Sequence, residues 1–524
     1  MFVGRVDVGG WNEMARKAVV VGVGQQRRNP KLDGPFDPCE PADMMATATG
    51  RALADVVANG ALSVGAVVSR TTLLACVDPL AWGYVDLCTV VADKIGLRAP
   101  YEPMMVQPGG NSPGDLLNRT INKIVEGGVD VAVLTGAECV YGRRRARKEG
   151  LVLDWTPFEG HRDFLKGQRE LTNELEARHG MKEPIQCYPL FENALRKKAG
   201  RSIADHQKFL GEFMARNTEV SANNPYAWFP FVQRGEDLAN ASAENRMVGF
   251  PYPKRMNALM EVDLSASIVL MSSDEADRQG IAREHQVAVL GGAGATDGWC
   301  PTEREDFTSS PAIAAAAREA FRHCGFGVDD IDLFDLYSCF PSAVQMALGE
   351  LGVSTGDPRG VTVTGGLAYA GGPGNNYSLH GMAAIVERLR NPADPAKNGL
   401  VSALGNTATK HALCVFSSDS SRWDDADGMA TEKVPVSISP PALVGDRSGD
   451  ATVETYTVMF DRTGTPQQSI YVVRFDDGAR TVANGPCTSE EVDHVTTSEA
   501  IGLRGHVQAG TTSDDANRFV LAGS

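Results

Sequence analysis

The strongest constraint on the fold is an alternation of short β-branched runs with segments of helical periodicity, met twice along the chain and interrupted once. Lys17–Val23 (KAVVVGV) is a continuous apolar run of the kind carried by a strand buried on both sheet faces. Residues 41–57 (PADMMATATGRALADVV) then place apolar side chains at helical spacing. The alternation predicts a strand over Val64–Leu74, a helix over Val85–Ile95, a short strand at Met104–Val106, a helix over Gly114–Glu126 and a strand at Val129–Leu134. It resumes with strands at Leu264–Met271 and His285–Leu290, a helix over Ala312–His323, a strand at Ile331–Tyr337 and a helix over Ser342–Leu351. Two α/β units of similar length, with parallel strands and right-handed crossovers, are the expected architecture. At 524 residues the chain is too long for one core, and about two to four domains are expected.

The interruption runs from about Tyr141 to Pro253. It is helical and aromatic and opens on Arg143-Arg144-Arg145-Ala146-Arg147-Lys148. That run is either a solvated face or a contact for the phosphates of a nucleotide-bearing ligand. After the polar linker Asp424–Gly428 the pattern becomes period two. Thr452–Phe460 and Ser469–Phe475 read as strands joined by a glycine turn, with another tight turn at Asp476-Asp477-Gly478. Such hairpins suggest a small antiparallel barrel of OB-like type. The domain plan is therefore a first half over 15–140 and 245–255, an insertion over 141–244, a second half over 256–423 and a barrel over 430–524.

Charge and cysteine usage narrow the function classes. A formal net charge of −16 opposes broad contact with nucleic acid or an anionic membrane. Ten cysteines occur without a CxxC or a zinc-like cysteine–histidine spacing, which suggests reduced thiols, no metal and a cytoplasmic protein. Met1–Glu13, broken by Arg5, Asp7 and Glu13, does not read as a secretory signal. No apolar run approaches the ~20 residues needed to span a bilayer.

Three glycine-containing motifs invite functional readings. Gly22-Val23-Gly24 follows the first strand, but Arg27 stands where a dinucleotide fingerprint needs a third glycine. Gly110-Asn111-Ser112-Pro113-Gly114 matches G-x-S-x-G between a strand and a helix. There the residue after the serine is Pro113, which has no N–H to give an oxyanion, so the proline reads as a helix start. The third, GGLAYAGGPGNN (365–376), follows a strand expected at Val361–Thr364 and demands close backbone approach, to a ligand or to a neighbouring loop.

Several longer stretches resemble the thiolase superfamily: EGGVDVAVLTGAE (126–138), YPLFENALR (188–196), NNPYAWFP (223–230), PYPKRMNALMEVDLSASIVLMSSDEA (251–276) and GGLAYAGGPGNN (365–376). The similarity covers about Ala15–Ser418 and is nearest to sterol-carrier-protein-type thiolases, actinobacterial acetyl-CoA acetyltransferase-like proteins and type 1 thiolase-like proteins. It implies a duplicated, five-layered αβαβα fold with a helical loop domain. The barrel beyond it resembles the additional domain of the type 1 proteins, and also OB-type modules that partner thiolase-like lyases.

The resemblance also implies a chemistry that this chain lacks the residues to perform. Thiolases carry an acyl-accepting cysteine at the N-terminus of a buried helix, activated by the helix dipole and a histidine. The matching segment is Val106–Thr120, and no cysteine lies between Cys88 and Cys139. The nucleophile-equivalent positions are Gly110 and Asn111, neither of which forms a thioester. Tyr337-Ser338-Cys339-Phe340 stands for His-Asp-Cys-Phe, and Gly371-Gly372-Pro373 stands for Gly-His-Pro, so that the catalytic histidine is Gly372 here. The last cysteine motif has become Leu404-Gly405-Asn406-Thr407-Ala408-Thr409-Lys410-His411. The polar groups remaining near that pocket are Ser112, Tyr337, Ser338, Cys339, Asn375, Asn376, His380, Lys410 and His411. The candidates for proton transfer are Tyr337, Cys339 and His411; for Cys339 and Tyr337 the plain alternative is core packing.

Three functions follow as expectations. One is a protein inactive as a thiolase that binds CoA or an acyl-CoA, needs no resident cofactor, or supports a partner enzyme of fatty-acid or sterol degradation. Another is an active acyltransferase or retro-aldol lyase using Tyr337 or His411. The last is an interaction module with a vestigial pocket. Both monomer and dimer remain open.

Overall fold

The computed structural model describes residues 16–158, 168–512 and 515–522; the leading segment Met1–Glu13 lies outside them. The first α/β unit contains β1 (Ala18–Arg27), β2 (Leu73–Cys76), β3 (Glu102–Met104) and β4 (Val131–Cys139). A short hairpin, β5 (Met247–Gly249) and β6 (Tyr252–Pro253), closes the insertion. Next come β7 (Asp263–Ser272), β8 (Val287–Thr296), β9 (Leu333–Asp335), β10 (Asn398–Gly405), β11 (Lys410–Ser417) and β12 (Ala430–Val434). The sheet order is β3-β2-β4-β7-β1-β8-β11-β10-β9, with β12 added against β8.

The expected all-parallel pairing is corrected. Only β2 with β3 and β4, β9 with β10, and β8 with β12 run parallel. β1–β7, β4–β7, β1–β8, β8–β11 and β10–β11 are antiparallel. A tight turn joins β10 to β11, and the long insertion returns the chain for β7 without a parallel crossover. Two local expectations also change. Val64–Arg70 is a helix, because the Ser63 hydroxyl caps it by accepting from the Ala66 amide at 3.3 Å, and the strand begins only at Leu73. Val361–Thr364 forms no strand. There the Asp335 carboxylate takes the Val363 amide at 3.1 Å and the Thr362 hydroxyl at 2.7 Å, in place of a ladder partner.

Two helices, Ser112–Val125 and Tyr377–Arg390, pack against each other and against strands of both halves of the sheet. Leu116, Leu117, Ile121 and Ile124 from one, and Leu379, Met382, Ile385 and Val386 from the other, share one buried cluster. Each such side chain contributes roughly 1.5–3 kcal/mol on burial. Helix Pro41–Ala58 covers β1, β4 and β7 from outside, and Pro311–Cys324 covers β8 and β11. The result is the five-layered αβαβα arrangement of two halves. The insertion contributes helices Glu174–Arg178, Pro184–Lys198, Ile203–Asn223 and Gly235–Ala239.

The C-terminal strands are β13 (Gly449–Phe460), β14 (Pro466–Phe475), β15 (Arg480–Asn484), β16 (Arg504–Gln508) and β17 (Arg518–Leu521). They pair in the cycle β13-β14-β15-β17-β16-β13, a closed OB-like barrel with no free edge, and helix Ser489–Thr497 lies between β15 and β16. The barrel docks on the insertion. The Thr455 hydroxyl donates to the Leu190 carbonyl at 2.6 Å, and the Asn193 amide donates to the Tyr456 carbonyl at 2.9 Å. Among the described residues no helix is long and apolar enough to cross a membrane.

One outer edge of the sheet, β3, carries exposed Glu102, ion-paired with Lys123 at 3.0 Å, beside Pro103, which has no N–H to offer. Such an edge resists strand addition by a second copy, so light scattering after size exclusion is expected to return the mass of one chain.

Candidate functional site

The N-termini of both central helices open on one cavity of about 1220 Å³, which gathers residues from both halves, the insertion and the glycine-rich loop. Gly109 and Gly110 precede the helix that begins at Ser112, and Gly374 and Asn375 precede the one that begins at Tyr377; all four line the cavity. The positive ends of two helix dipoles therefore face the same space.

At Gly110, one of the two positions expected to stand for the nucleophile, the backbone has no room for a side chain. A Cβ built on Gly110 lies 2.2 Å from the Tyr337 hydroxyl and 2.3 Å from the Leu404 carbonyl oxygen. Real carbon–oxygen contacts do not come this close, so a cysteine here demands a shift of Tyr337 or of the Leu404 main chain. Asn111, the next position, does not line the cavity. Its amide nitrogen donates to Asp115 at 2.6 Å and its Oδ1 has no hydrogen-bond partner. Ser112 donates to the Gln107 carbonyl at 3.2 Å and is buried, outside the cavity lining.

The other motif residues divide between the cavity and its scaffold. Tyr337 and Cys339 line the cavity. Burial raises the Tyr337 phenol well above its ordinary range, and pushes the Cys339 thiol up to about 12 against a favourable hydrogen bond from Tyr188. Both groups therefore stay protonated near neutrality. Ser338 lies behind them, accepting from the Leu367 amide at 3.2 Å. Asn375 donates to the Asp78 carbonyl at 2.8 Å, whereas Asn376 packs against β4, its Oδ1 2.0 Å from where a Cβ on Gly136 would stand. Gly371, Gly372 and Pro373 do not line the cavity; a Cβ on Gly372 would meet Met260, Leu367 and Ala258 at 3.3–3.5 Å, an apolar setting. The glycine-rich loop makes both kinds of close approach. Leu367, Ala368 and Tyr369 border the cavity, while Gly374 (φ 53°) comes so near Glu138 that a Cβ would lie 2.3 Å from its carboxylate.

His411, His380 and Lys410 do not line this cavity. His411 is buried under the β10–β11 turn, its Nε2 2.9 Å from the Ala408 carbonyl and 3.4 Å from Asp297. Although burial opposes it, the hydrogen bond from His411 and the charge of Arg304 hold Asp297 down at about 2. His380 bonds Gln25 at 2.8 Å, and burial lowers it to about 3. Lys410 Nζ donates to the Pro108 carbonyl at 2.9 Å; burial lowers its pKa against the pull of Asp115. The basic run 143–148 is also elsewhere. Arg143 lies over Trp82, Arg145 over Phe36, and Arg144 pairs with Glu261.

The features that motif reading missed are at the rim. Lys31, Lys182 and Lys254 border the cavity with no hydrogen-bond or ion-pair partner on their ammonium groups among the described residues; Arg246 stands with them, and so does Arg255, paired with Glu244 at 3.3 Å. Leu80, Phe231 and Met260 also border it, and each is more than two-fifths exposed. Lys254 and Arg255 lie within the PYPKRMN stretch, yet nothing in their spacing announces a shared mouth with Lys31.

Comparison with known proteins decides the family. A solved structure described as a monomeric SCP2-thiolase-like protein type 1 from Mycobacterium smegmatis is 30% identical with a TM-score of 0.76, covering 97% of this chain and 99% of that one. The chain belongs to the SCP2-thiolase-like type 1 family. Its residues 293–418 match the model of a thiolase C-terminal domain, and 432–512 match the additional C-terminal domain of thiolase-like protein type 1. A Methanothermobacter thermautotrophicus protein named acetyl-CoA acetyltransferase is 24% identical over 354 residues, which cover 63% of this chain and 84% of that protein. The fold is shared with an Ltp2–ChsH2(DUF35) aldolase at 17% identity and a TM-score of 0.57, covering 77% of this chain and 98% of that one.

Asp115 offers a pH test of this type 1 site. Burial pushes its carboxyl up to about 6, against the opposing charge of Lys410 and the hydrogen bond from Asn111. A carboxyl raised in the folded state holds its proton longer there, so stability falls as pH rises from about 4 to 6 and the penalty is complete above that. Asp115→Asn is expected to flatten the decline and to gain about 1–2 kcal/mol at pH 7 relative to pH 4, read from urea titrations at both values.

Proposed function

We propose that this type 1 thiolase-like protein binds a CoA ester in the central cavity and performs no thiolase reaction. The observation that carries this is the position of the Tyr337 hydroxyl and the Leu404 carbonyl in the space that a nucleophile on residue 110 would occupy. A missing cysteine alone leaves room for replacement by another route; a filled space does not. The catalytic histidine position, Gly372, adds no acid–base group.

The binding half of the reading rests on the mouth. Three unpartnered lysines and two arginines there suit a phosphorylated ligand, although the chain as a whole carries a charge of −16. The apolar interior suits the pantetheine arm and an acyl group, and the two helix N-termini suit a thioester carbonyl.

A second reading keeps catalysis, as an acyltransferase or retro-aldol lyase. It is favoured by Tyr337, which lines the cavity, whose hydroxyl has no hydrogen-bond partner among the described residues and which burial keeps protonated, so that it can give a proton or a hydrogen bond but not take a proton. It predicts acyl-CoA turnover that is lost in Tyr337→Phe.

Calorimetric titration with CoA and acetyl-CoA is expected to show saturable binding, weakened roughly tenfold in Lys182→Glu/Lys254→Glu. Neither heat nor a thermal shift from either ligand would sink the binding reading. Mass spectrometry after exposure to acetyl-CoA is expected to find no acetyl-enzyme, in the natural chain or in Gly110→Cys. That variant is also expected to lose about 1–3 kcal/mol of stability from overpacking. An acetylated Gly110→Cys protein of undiminished stability would show that the space is not closed.

A further inference from the structure

The barrel contributes no residue to the cavity lining, yet one of its side chains holds the wall in place at one remove. Arg480, on β15, is fully buried. Its Nη1 donates to the carbonyls of Thr302 and Arg304 at 2.7 and 2.5 Å, its Nη2 to that of Glu305 at 3.2 Å, and its Nε to Glu454 at 2.8 Å. The guanidinium also stacks 4.9 Å from the centre of the Phe307 ring. One barrel arginine therefore grips three main-chain carbonyls within the four residues 302–305 of the segment that follows β8 and Trp299.

The middle residue of that grip reaches onward. Arg304, also buried, sends Nη1 to the Ala408 carbonyl at 2.8 Å and Nη2 to the Ser309 carbonyl at 2.6 Å, and pairs with Asp297 at 3.2 Å. Ala408 is doubly fastened, since its amide donates to the Tyr188 hydroxyl at 3.0 Å. The turn it belongs to is strained. Asn406 and Ala408 have φ of 59° and 56°, a region that L side chains adopt at a cost of about 1–3 kcal/mol unless their surroundings impose it. Asn406 and Thr407 in this turn line the cavity, and the turn follows directly from Leu404, whose carbonyl helps fill the space at Gly110.

We propose that Arg480 and Arg304 are positioning residues through which the C-terminal barrel sets the conformation of the 404–409 wall, and so controls ligand affinity in a cavity the barrel does not touch. The affinity clause rests on the CoA-ester reading; the conformational clause does not. An arginine with its donors spent on carbonyl groups has no substitute in lysine, whose single ammonium cannot span three main-chain positions.

The test uses the full chain with Arg480→Lys and Arg480→Met, compared by hydrogen exchange of peptides covering 404–411 and, as a control, β1. The expected result is exchange at 404–411 faster by roughly tenfold with β1 unchanged, because loss of coupling along such a chain is worth about 0.5–2 kcal/mol. In the same proteins the dissociation constant for CoA rises by about the same factor. Adding Ala408→Gly, which accepts the positive φ without the bracket, restores much of that affinity while leaving the melting temperature of the Arg480 variant low. Unchanged exchange at 404–411, or faster exchange spread evenly over the chain, overturns the proposal. If Arg480→Met does not fold, the lysine variant decides alone. If CoA binds to neither the natural chain nor the variants, the exchange result still stands or falls independently, and only the CoA reading is lost.

Discussion

The rest of the molecule is arranged around two helices that are buried along most of their length. Ser112–Val125 and Tyr377–Arg390 are enclosed between the two halves of the sheet, and their apolar faces join one cluster with strands from both halves. A helix so enclosed must end somewhere its free N–H groups can be met. Both begin at the same cavity, one after the Gly109–Gly110 turn and the other after Gly374–Asn375. The position of the cavity is therefore a consequence of the core.

The altered motifs are better understood as linked than as separate losses. With glycine at 110, the hydroxyl of Tyr337 can come to within 2.2 Å of where a Cβ would be, and with tyrosine at 337 nothing larger than glycine fits at 110. At Gly372 the missing side chain leaves an apolar corner between Met260, Leu367 and Ala258. What remains is a cavity whose interior polar groups, the Tyr337 phenol and the Cys339 thiol, are held protonated by burial. The cavity measures about 1220 Å³ and has lysines and arginines at its rim.

The barrel fits this picture as a brace. Closure of its five strands leaves no edge to offer a partner, and its contacts run through β13 to helix Pro184–Lys198 and through Arg480 to the segment at 302–305. Tyr188, from that same helix, stacks on Phe340 with ring centres 4.4 Å apart and also meets the Ala408 amide. Insertion, barrel and second half thus converge on the wall formed by residues 404–409.

Periodicity and composition alone determined the α/β alternation, the insertion, the β-rich end and the lack of any cysteine between Cys88 and Cys139, because each is carried by residues close together in the chain. The boundary errors have the same origin. Val64–Arg70 is β-branched enough to suggest a strand until the Ser63 cap is weighed, and Val361–Thr364 is diverted by a carboxylate from a distant strand. Only the tertiary structure decided the mixed sense of the sheet, the removal of His411 from the cavity to a structural bond with Ala408, and the gathering of Lys31, Lys182 and Lys254 at one mouth. The sheet order and the mouth bring together residues far apart in the chain, and local pattern contains no distance between them. The filled space at Gly110 is the clearest case. The sequence states that the cysteine is absent, and the packing of Tyr337 and Leu404 states that there is no longer anywhere to put one.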